Sequence, residues 1–257
     1  MCLILFSWDN HPVYKLILAA NRDEFYIRPT LPLHEWDQNS DIIAGKDMTG
    51  GGTWMGISKN NRFAALTNYR DPTRVIDNPP SRGDLTLDFL NENPQPRDYF
   101  ISKKNALQQY NGFNLLTGSL NTMSYFNNIE RQYKQITAGT YGLSNAVLDT
   151  PWPKVKKAKA AFSEILAARD PKSEDLFGIL KDKTLANDSE LPQTGVPYEW
   201  EKAISAIFIE KNGYGTCCST IITVTHEGQG EIRELSYPVG DRTPSEKIIS
   251  FDWSEFK

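Results

Sequence analysis

The feature that most constrains the fold is a pair of apolar runs at the N-terminus. Residues 2–8 and 14–20 are apolar and of strand length, and residues 9–12 between them are turn formers. The runs are predicted to pair as a hairpin, which returns residues 21–24 (Asn-Arg-Asp-Glu) beside Cys2. Because burying polar groups unpaired is costly, these four residues satisfy one another or serve a site.

Cys2 gains a chemical role if the initiator methionine is removed. It then carries a thiol with an ordinary pKa of about 8.5 and a free α-amine with one of about 7.7–8.0. One residue then supplies both a nucleophile and a general base. Free cysteines also serve as small hydrophobes at the start of a strand, so both interpretations stay open from this residue alone.

Composition excludes several kinds of partner. The net charge of −4 provides no general attraction to nucleic acid or to anionic lipid. No apolar run approaches the ~18 residues of a membrane span, and the chain does not open with the pattern of a secretory signal. Its three cysteines, two of them adjacent, make no disulfide framework. We therefore expect a cytoplasmic protein with no nucleic-acid partner and no membrane span.

Short strands and helices are predicted along the rest of the chain. Further strands are predicted at 53–58, 63–68, 113–117, 123–127, 133–137, 203–210, 217–225 and 231–237, and helices at 84–91, at 97–109, after Pro151 and Pro153, and at 173–182, opened by Ser173. Residues 26–47, which contain prolines and mixed polar residues, are predicted to be irregular. The pattern indicates one α+β domain over residues 1–257 with antiparallel sheets.

The helix after Pro153 is predicted to be amphipathic. Its apolar face consists of Val155, Ala158, Phe162, Ile165 and Leu166, and its opposite face of Lys154, Lys156, Lys157 and Lys159. We expect these lysines to form a solvated surface.

The polar residues that close predicted strands are the candidate site. Arg22 and Asp23, Asn68 and Asn145 each follow an apolar stretch. Asp23 can hold an α-amine, and Arg22 can lower a thiol pKa or clamp an anionic group. Amide side chains such as those of the two asparagines can donate to an oxyanion, although asparagine is also common in turns and caps. The three histidines lie far apart without metal spacing, and no metal site is predicted.

Several motifs occur together in a fixed order. They are Asn21-Arg22-Asp23-Glu24 after an MCLI start, Gly51-Gly52-Thr53-Trp54-Met55-Gly56, Leu66-Thr67-Asn68-Tyr69-Arg70, Tyr110-Asn111-Gly112-Phe113-Asn114-Leu115, and Tyr141-Gly142-Leu143-Ser144-Asn145 with Thr150-Pro151-Trp152. In this the chain resembles the NRDE family, the family of transport and Golgi organisation protein 2, over residues 1 to about 237.

That resemblance implies an N-terminal-nucleophile hydrolase-like fold, a four-layer α-β-β-α sandwich. It is similar to the cysteine branch that holds penicillin V acylase and bile-salt hydrolase. In that branch a cysteine, an arginine, an aspartate and two asparagines line the site, and Cys2, Arg22, Asp23, Asn68 and Asn145 match them in order. The chain departs from the pattern where relatives read Gly-Thr-Arg, because it has Cys217 after Gly215 and Thr216.

Two functions remain open from these residues and the resemblance. One is hydrolysis of an amide or thioester bond in a small acylated substrate, which requires no cofactor. The other is carriage of haem or an acylated ligand, because family members are implicated in haem movement and in lipid or acyl-CoA homeostasis. We assign Asn21, Glu24, Trp54 and Arg70 to ligand binding. A scaffold for protein partners is a third hypothesis that no residue favours.

Overall fold

The computed structural model describes residues 2–37, 40–92, 94–238 and 243–256. The strands are β1 (Cys2–Trp8), β2 (Tyr14–Phe25), β3 (Thr30–Glu35), β4 (Ile42–Asp47), β5 (Met55–Ser58), β6 (Arg62–Asn68), β7 (Phe113–Gly118), β8 (Met123–Asn127), β9 (Gln132–Gln135), β10 (Gly139–Leu143), β11 (Glu210–Lys211), β12 (Tyr214–Thr225), β13 (Gln229–Ser236) and β14 (Ser245–Asp252). The α-helices are α1 (Arg82–Asn91), α2 (Pro96–Lys103), α3 (Pro153–Ile165), α4 (Ser173–Leu180) and α5 (Tyr198–Ala203).

The strands form two antiparallel sheets. Sheet A has the order β10-β1-β2-β12-β13-β14, with β11 paired to β12, and sheet B has the order β3-β4-β5-β6-β7-β8-β9. β1 and β2 pair as the sequence predicts, and both lie in the interior of sheet A.

Helices cover the outer face of each sheet. Between the sheets, Ile4 and Phe6 of sheet A pack in one core with Ile57 and Phe63 of sheet B. A second core joins the outer face of sheet A to α3 and α4, and a third joins sheet B to α1 and α2. Burial of these apolar faces accounts for four layers, α-β-β-α, and confirms the predicted fold class.

Alternation along β1 and β2 decides which side chains face the other sheet. Ile4 and Phe6 face sheet B, whereas Leu3 and Leu5 pack against the helices. Side chains alternate with a period of two, and directly opposite residues share a face. Cys2 lies opposite Arg22, so both are on the side of sheet B.

Several sequence predictions are wrong in position or type. Residues 26–47, predicted to be irregular, contain β3 and β4. β3 is an edge strand with a register irregularity around Pro32, which is where a sheet tolerates proline. β10 and β14 were not predicted, and the polar residues 21–24 lie within β2 rather than after a strand.

The segment predicted as a strand at 203–210 is mostly the irregular chain after α5. Its backbone N–H groups form hydrogen bonds that do not belong to a β-sheet. Phe208 N donates to Asp182 O at 2.8 Å, and Ile209 N donates to Thr216 Oγ1 at 2.9 Å. Helix α4 begins at Ser173, as the sequence predicts, and ends at Leu180, two residues before the predicted end.

Helix α3 contradicts the prediction of a uniformly solvated lysine face. Lys154, the second residue of the helix, is 4% exposed, whereas Lys156 and Lys157 are exposed. The reason is tertiary: the first turn of α3 is covered by the chain around Ile204, whose carbonyl accepts a hydrogen bond from Lys154 Nζ at 3.2 Å.

Candidate active site

A cavity of about 580 Å³ lies between the two sheets at the N-terminal end of β1. Sheet A contributes Cys2 and Arg22, and sheet B contributes Leu66 and Asn68. The N-terminal end of α1 forms part of the wall, together with Pro79 and Pro80 before it. The lining combines apolar and charged side chains, which is typical of small-molecule sites.

Cys2, the first residue of β1, lines this cavity. It is 7% exposed, and its backbone pairs with that of Arg22 in β2. Burial raises the pKa of the Cys2 thiol, whereas a hydrogen bond from the backbone N–H of Asp23 and the positive charge of Arg22 lower it. The sulfur therefore faces the cavity with a hydrogen-bond donor already beside it.

The Arg22 guanidinium lies beside Cys2 in a group of opposite charges. Its Nη2 atom is 3.6 Å from Glu24 Oε2 and 3.9 Å from Asp47 Oδ2. The same Asp47 oxygen accepts a hydrogen bond of 2.7 Å from Arg28 Nε. Arg22, Glu24, Arg28 and Asp47 all line the cavity. The guanidinium groups of Arg22 and Arg28 thus both face the cavity, each near carboxylates that hold the guanidinium in place.

Asp23 approaches Cys2 from the helical side of sheet A. Its carboxylate is buried, and Oδ1 accepts a hydrogen bond of 2.7 Å from Thr216 Oγ1. Burial raises the pKa of Asp23, whereas the positive charges of Lys154 and Arg22 lower it. The charge of this carboxylate raises the pKa of the Cys2 thiol, so Asp23 acts directly on the residue at the start of β1.

The two asparagines meet where the sheets come together. Asn68 ends β6 and lines the cavity. Asn145, which follows β10, is fully buried, and its Nδ2 donates a hydrogen bond of 2.9 Å to the Asn68 carbonyl. The Ser144 hydroxyl, in turn, donates to the Cys2 carbonyl at 3.0 Å. Residues after β10 thus connect Cys2 in sheet A to Asn68 in sheet B.

The structure separates the four residues assigned to ligand binding. Glu24 and Trp54 line the cavity. Asn21 points to the helical side, where its Nδ2 donates to Leu180 O at 2.8 Å and Ile207 O at 2.9 Å. Arg70 is buried away from the cavity lining, in an ion pair with Glu201.

Several charged cavity residues were not identified from the sequence. Arg28 and Lys46 belong to the residues predicted to be irregular, and Arg82, the first residue of α1, precedes the helix predicted at 84–91. Glu234 of β13 is 4% exposed and accepts a hydrogen bond of 2.8 Å from Leu33 N. No local motif indicates these residues, since strands distant in sequence bring them together.

Cys217 and Cys218 also face the cavity. Thr216 pairs with Asp23 and Cys218 with Arg22, so Cys217 is an extra residue in a β-bulge. Both cysteines are buried, as expected for core residues, yet both line the cavity as well. All three cysteines of the chain therefore line one cavity, and all three are free.

The histidines lie elsewhere. His11 Nε2 contacts Ala168 O at 3.0 Å and His226 Nε2 contacts the His11 carbonyl at 2.9 Å, while His34 is on β3. None of them lines the cavity formed by the described residues. Across the described ranges, no group of three or more His, Cys, Asp or Glu side chains is arranged to hold a metal ion.

The two antiparallel sheets covered by helices form an N-terminal-nucleophile hydrolase-like fold, with a cysteine at the start of an inner strand. Two variants of the conjugated bile acid hydrolase from Clostridium perfringens share it. One has a TM-score of 0.53 at 9% identity and covers 99% of this chain and 93% of that chain. The other has a TM-score of 0.51 at 8% identity and covers 97% of each chain. At such identities the likeness concerns the fold.

The chain belongs to the transport and Golgi organisation 2 family, whose model matches residues 1–238. The transport and Golgi organization protein 2 homolog of Bos taurus is 36% identical and covers 95% of each chain. The homolog of Homo sapiens is 36% identical over 92% of this chain and 93% of its own. The Drosophila melanogaster protein is 27% identical over 89% of both. These relatives confirm the resemblance found in the motifs.

Among the described residues, no helix has the length and apolar character needed to cross a membrane.

Proposed function

We propose that this chain is an N-terminal cysteine hydrolase that cleaves an amide or thioester bond in a small acylated substrate once Met1 has been removed. The observation that carries the proposal is the position of Cys2. It lines a cavity of about 580 Å³, opposite Arg22, with its sulfur hydrogen bonded to the backbone of Asp23.

The proposed reaction has two halves. The Cys2 sulfur attacks the substrate carbonyl carbon while the thiol proton passes to the α-amine, which Asp23 holds. The bond to the leaving amine or thiol then breaks, and the leaving group takes that proton from the α-ammonium. A water molecule attacks the resulting thioester and gives a proton to the α-amine. The sulfur leaves as the thiol, and the carboxylic acid is released.

Asn68 is the proposed donor to the oxyanion that forms in each half-reaction. It belongs to the cavity wall across from Cys2, and a well-placed donor of this kind contributes about 2.7–4 kcal/mol of transition-state stabilisation. We assign Asn145 a supporting role, because its amide is already bonded to the Asn68 carbonyl. Arg22 and Arg28 are the proposed groups for an anionic part of the substrate.

The test is hydrolysis of N-acetylcysteamine thioesters and N-acyl p-nitroanilides by untagged protein whose intact mass shows loss of Met1. Cys2→Ala should abolish turnover while the melting temperature stays near that of the wild type. Cys2→Ser, which retains a weaker nucleophile, should keep at most a small fraction of the wild-type activity. Full activity in the folded Cys2→Ala variant would contradict the proposal.

Carriage of haem or an acylated anion is the second candidate, and the cationic side chains of the cavity favour it. Arg22, Arg28, Lys46 and Arg82 all line it and would pair with propionate or phosphate groups. Iron would be bound by sulfur in this case, because the histidines lie elsewhere. Three free thiols suit a reducing compartment such as the cytoplasm, where we place the protein.

Absorbance titration tests the second candidate. A carrier should show a saturable Soret shift with haem at micromolar protein, and Arg22→Met should weaken it. Iron-free protoporphyrin should bind less tightly than haem if a sulfur atom binds the metal. A linear, unsaturated response would exclude haem carriage by this cavity.

A further inference from the structure

Lys154 is a buried amine behind the proposed nucleophile. It is 4% exposed, and Nζ donates one hydrogen bond of 3.2 Å, to Ile204 O. An ammonium with a backbone carbonyl as its hydrogen-bond acceptor remains costly to bury unless opposite charge compensates it. The neighbouring charges therefore decide what this side chain does.

The Asp23 carboxylate is the charge that acts most strongly on Lys154, followed by Arg70, Cys2 and Glu201. Arg70 and Glu201 compensate each other, since they form a buried ion pair. Thr194 Oγ1 adds a hydrogen bond of 2.6 Å to Glu201 Oε2.

Asp23 has further neighbours on its own sheet. They are Arg22 of the same strand, and Thr216 and Tyr214 of β12, whose hydroxyls bond Asp23 Oδ1 and the Asp23 carbonyl. Among the described residues, the positive charge of Lys154 lowers the pKa of Asp23 more than that of Arg22 does, and Arg70 is paired with Glu201. Both side chains contact the same irregular segment, because Lys154 Nζ bonds the Ile204 carbonyl and Asp23 Oδ1 accepts from Thr216 Oγ1, which in turn accepts from Ile209 N.

We propose that Lys154 is a positioning residue of the Cys2 site, whose ammonium compensates the Asp23 carboxylate and so allows the Cys2 thiol to ionise. The reason is electrostatic: an uncompensated Asp23 carboxylate raises the pKa of the adjacent thiol, and a nearby cation cancels that effect. This inference deepens the proposed hydrolase function and rests on it for its biological meaning, although thiol reactivity can be measured without any turnover.

The charge on Lys154 changes within an accessible pH range. Burial lowers the pKa of Lys154 to about 8, while Asp23 opposes that change. Below this pH the amine is charged and compensates Asp23. Above it the amine is neutral and no longer offsets the effect of the Asp23 charge on the thiol. Below the Lys154 pKa, the Cys2 thiol of the wild type should therefore react like that of a variant with a permanent positive charge at position 154. Above this pKa, it should react like that of a variant with no charge there.

The experiment measures the rate at which iodoacetamide alkylates Cys2, followed by peptide mass mapping to separate it from Cys217 and Cys218. Wild type is compared with Lys154→Arg and Lys154→Met at about pH 7 and about pH 9, two values that bracket the Lys154 pKa. Lys156→Met is the matched control, because it removes an exposed lysine from the same helix.

A crossover is expected. Near pH 7, wild type and Lys154→Arg should react alike, and Lys154→Met about 3- to 10-fold more slowly, which corresponds to half to one unit in the thiol pKa. Near pH 9, wild type should match Lys154→Met and fall behind Lys154→Arg by a similar factor. Lys156→Met should follow wild type throughout.

If the ratios of the Cys2 alkylation rates between the variants do not change with pH, the proposal is overturned and Lys154 is a packing residue. If Lys154→Met does not fold, the test rests on Lys154→Arg. The proposal then requires the alkylation rate of Lys154→Arg, divided by that of wild type, to rise between about pH 7 and about pH 9. A crossover without hydrolysis of any substrate would contradict the proposed function but support this inference. Hydrolysis without a crossover would support the proposed function but contradict this inference.

Discussion

The side-chain amide of Asn145 donates a hydrogen bond of 2.9 Å to the backbone carbonyl of Asn68, and so joins the end of β10 in sheet A to the end of β6 in sheet B. A second bond, 2.7 Å from Arg70 N to the Asn145 carbonyl, reinforces the connection. The cavity lies beside this junction, so the geometry of Asn68 depends on a residue 77 positions away in sequence.

Replacing Asn145 should therefore loosen the junction. Asn145→Ala leaves the partly buried Asn68 carbonyl without this donor, and we expect it to lower the free energy of unfolding by about 1–3 kcal/mol. Urea denaturation measures the change. Asn187→Ala, which removes an exposed amide bonded to Glu190, is the control and should change stability little. Equal effects from the two substitutions would contradict the account of the junction.

The buried ion pair between Arg70 and Glu201 should act in stability rather than in ligand binding. Arg70 also stacks on Trp152, with the guanidinium carbon 4.5 Å from the ring centroid. Removing either charge alone, as Arg70→Met or Glu201→Gln, should cost about 3–5 kcal/mol, because its partner stays buried and uncompensated. The double variant should recover part of that loss. If the stability losses of the two single variants simply add in the double variant, the ion pair does not stabilise the fold. A selective loss of ligand affinity in folded Arg70→Met would show that Arg70 acts in ligand binding.

Two glycines offer a matched pair of alanine substitutions. A Cβ at Gly52 would lie 2.6 Å from the carbonyl carbon of Gly83 at the start of α1, whereas one at Gly178 in α4 would meet nothing within 4 Å. Gly52→Ala should thus push α1 from the cavity wall and lower the melting temperature. Gly178→Ala should raise stability by about 0.5–1 kcal/mol, because helical glycine is entropically costly. Thermal unfolding of both variants checks the contrast, and a neutral Gly52→Ala would refute the close approach.

The pH dependence of stability should include a contribution from Glu234. Burial raises its pKa above the usual value for a glutamate, so its contribution to stability is complete at low pH and is lost as pH rises through the folded-state pKa. Glu234→Gln retains an oxygen that can accept from Leu33 N but never ionises.

We expect the Glu234→Gln variant to gain on wild type as pH rises, by about 1.4 kcal/mol for each unit of pKa shift. The melting temperatures of the two proteins should converge at low pH and separate near neutrality. A difference that stays constant with pH would show that ionisation of Glu234 does not limit stability.

Much of the architecture follows from local sequence patterns. The apolar runs and turn at the N-terminus predict the β1–β2 hairpin, and this register brings Cys2 to Arg22. The period of two along a strand also implies that Asn21 and Arg22 face opposite sides. The assignment of Asn21 to ligand binding did not apply that rule, and the structure places its amide among helix-side carbonyls.

Other features depend on contacts between distant segments. Lys154 occupies a run of lysines that no pattern divides into buried and exposed members, and only the packing of the chain around Ile204 buries it. Cavity residues such as Lys46 of β4 and Glu234 of β13 come from different sheets and lie far apart in sequence. Strand β3 contains Pro32, which local rules count against a strand but which an edge position permits.

The most direct test of the central claim is the intact mass of untagged protein before and after exposure to an N-acetylcysteamine thioester, with the mixture quenched in acid. The account predicts a chain that lacks one methionine and gains a single acyl group, mapped to Cys2 and absent in Cys2→Ala. A chain that retains methionine and gains no acyl group, or one acylated at Cys217 or Cys218 instead, would contradict it.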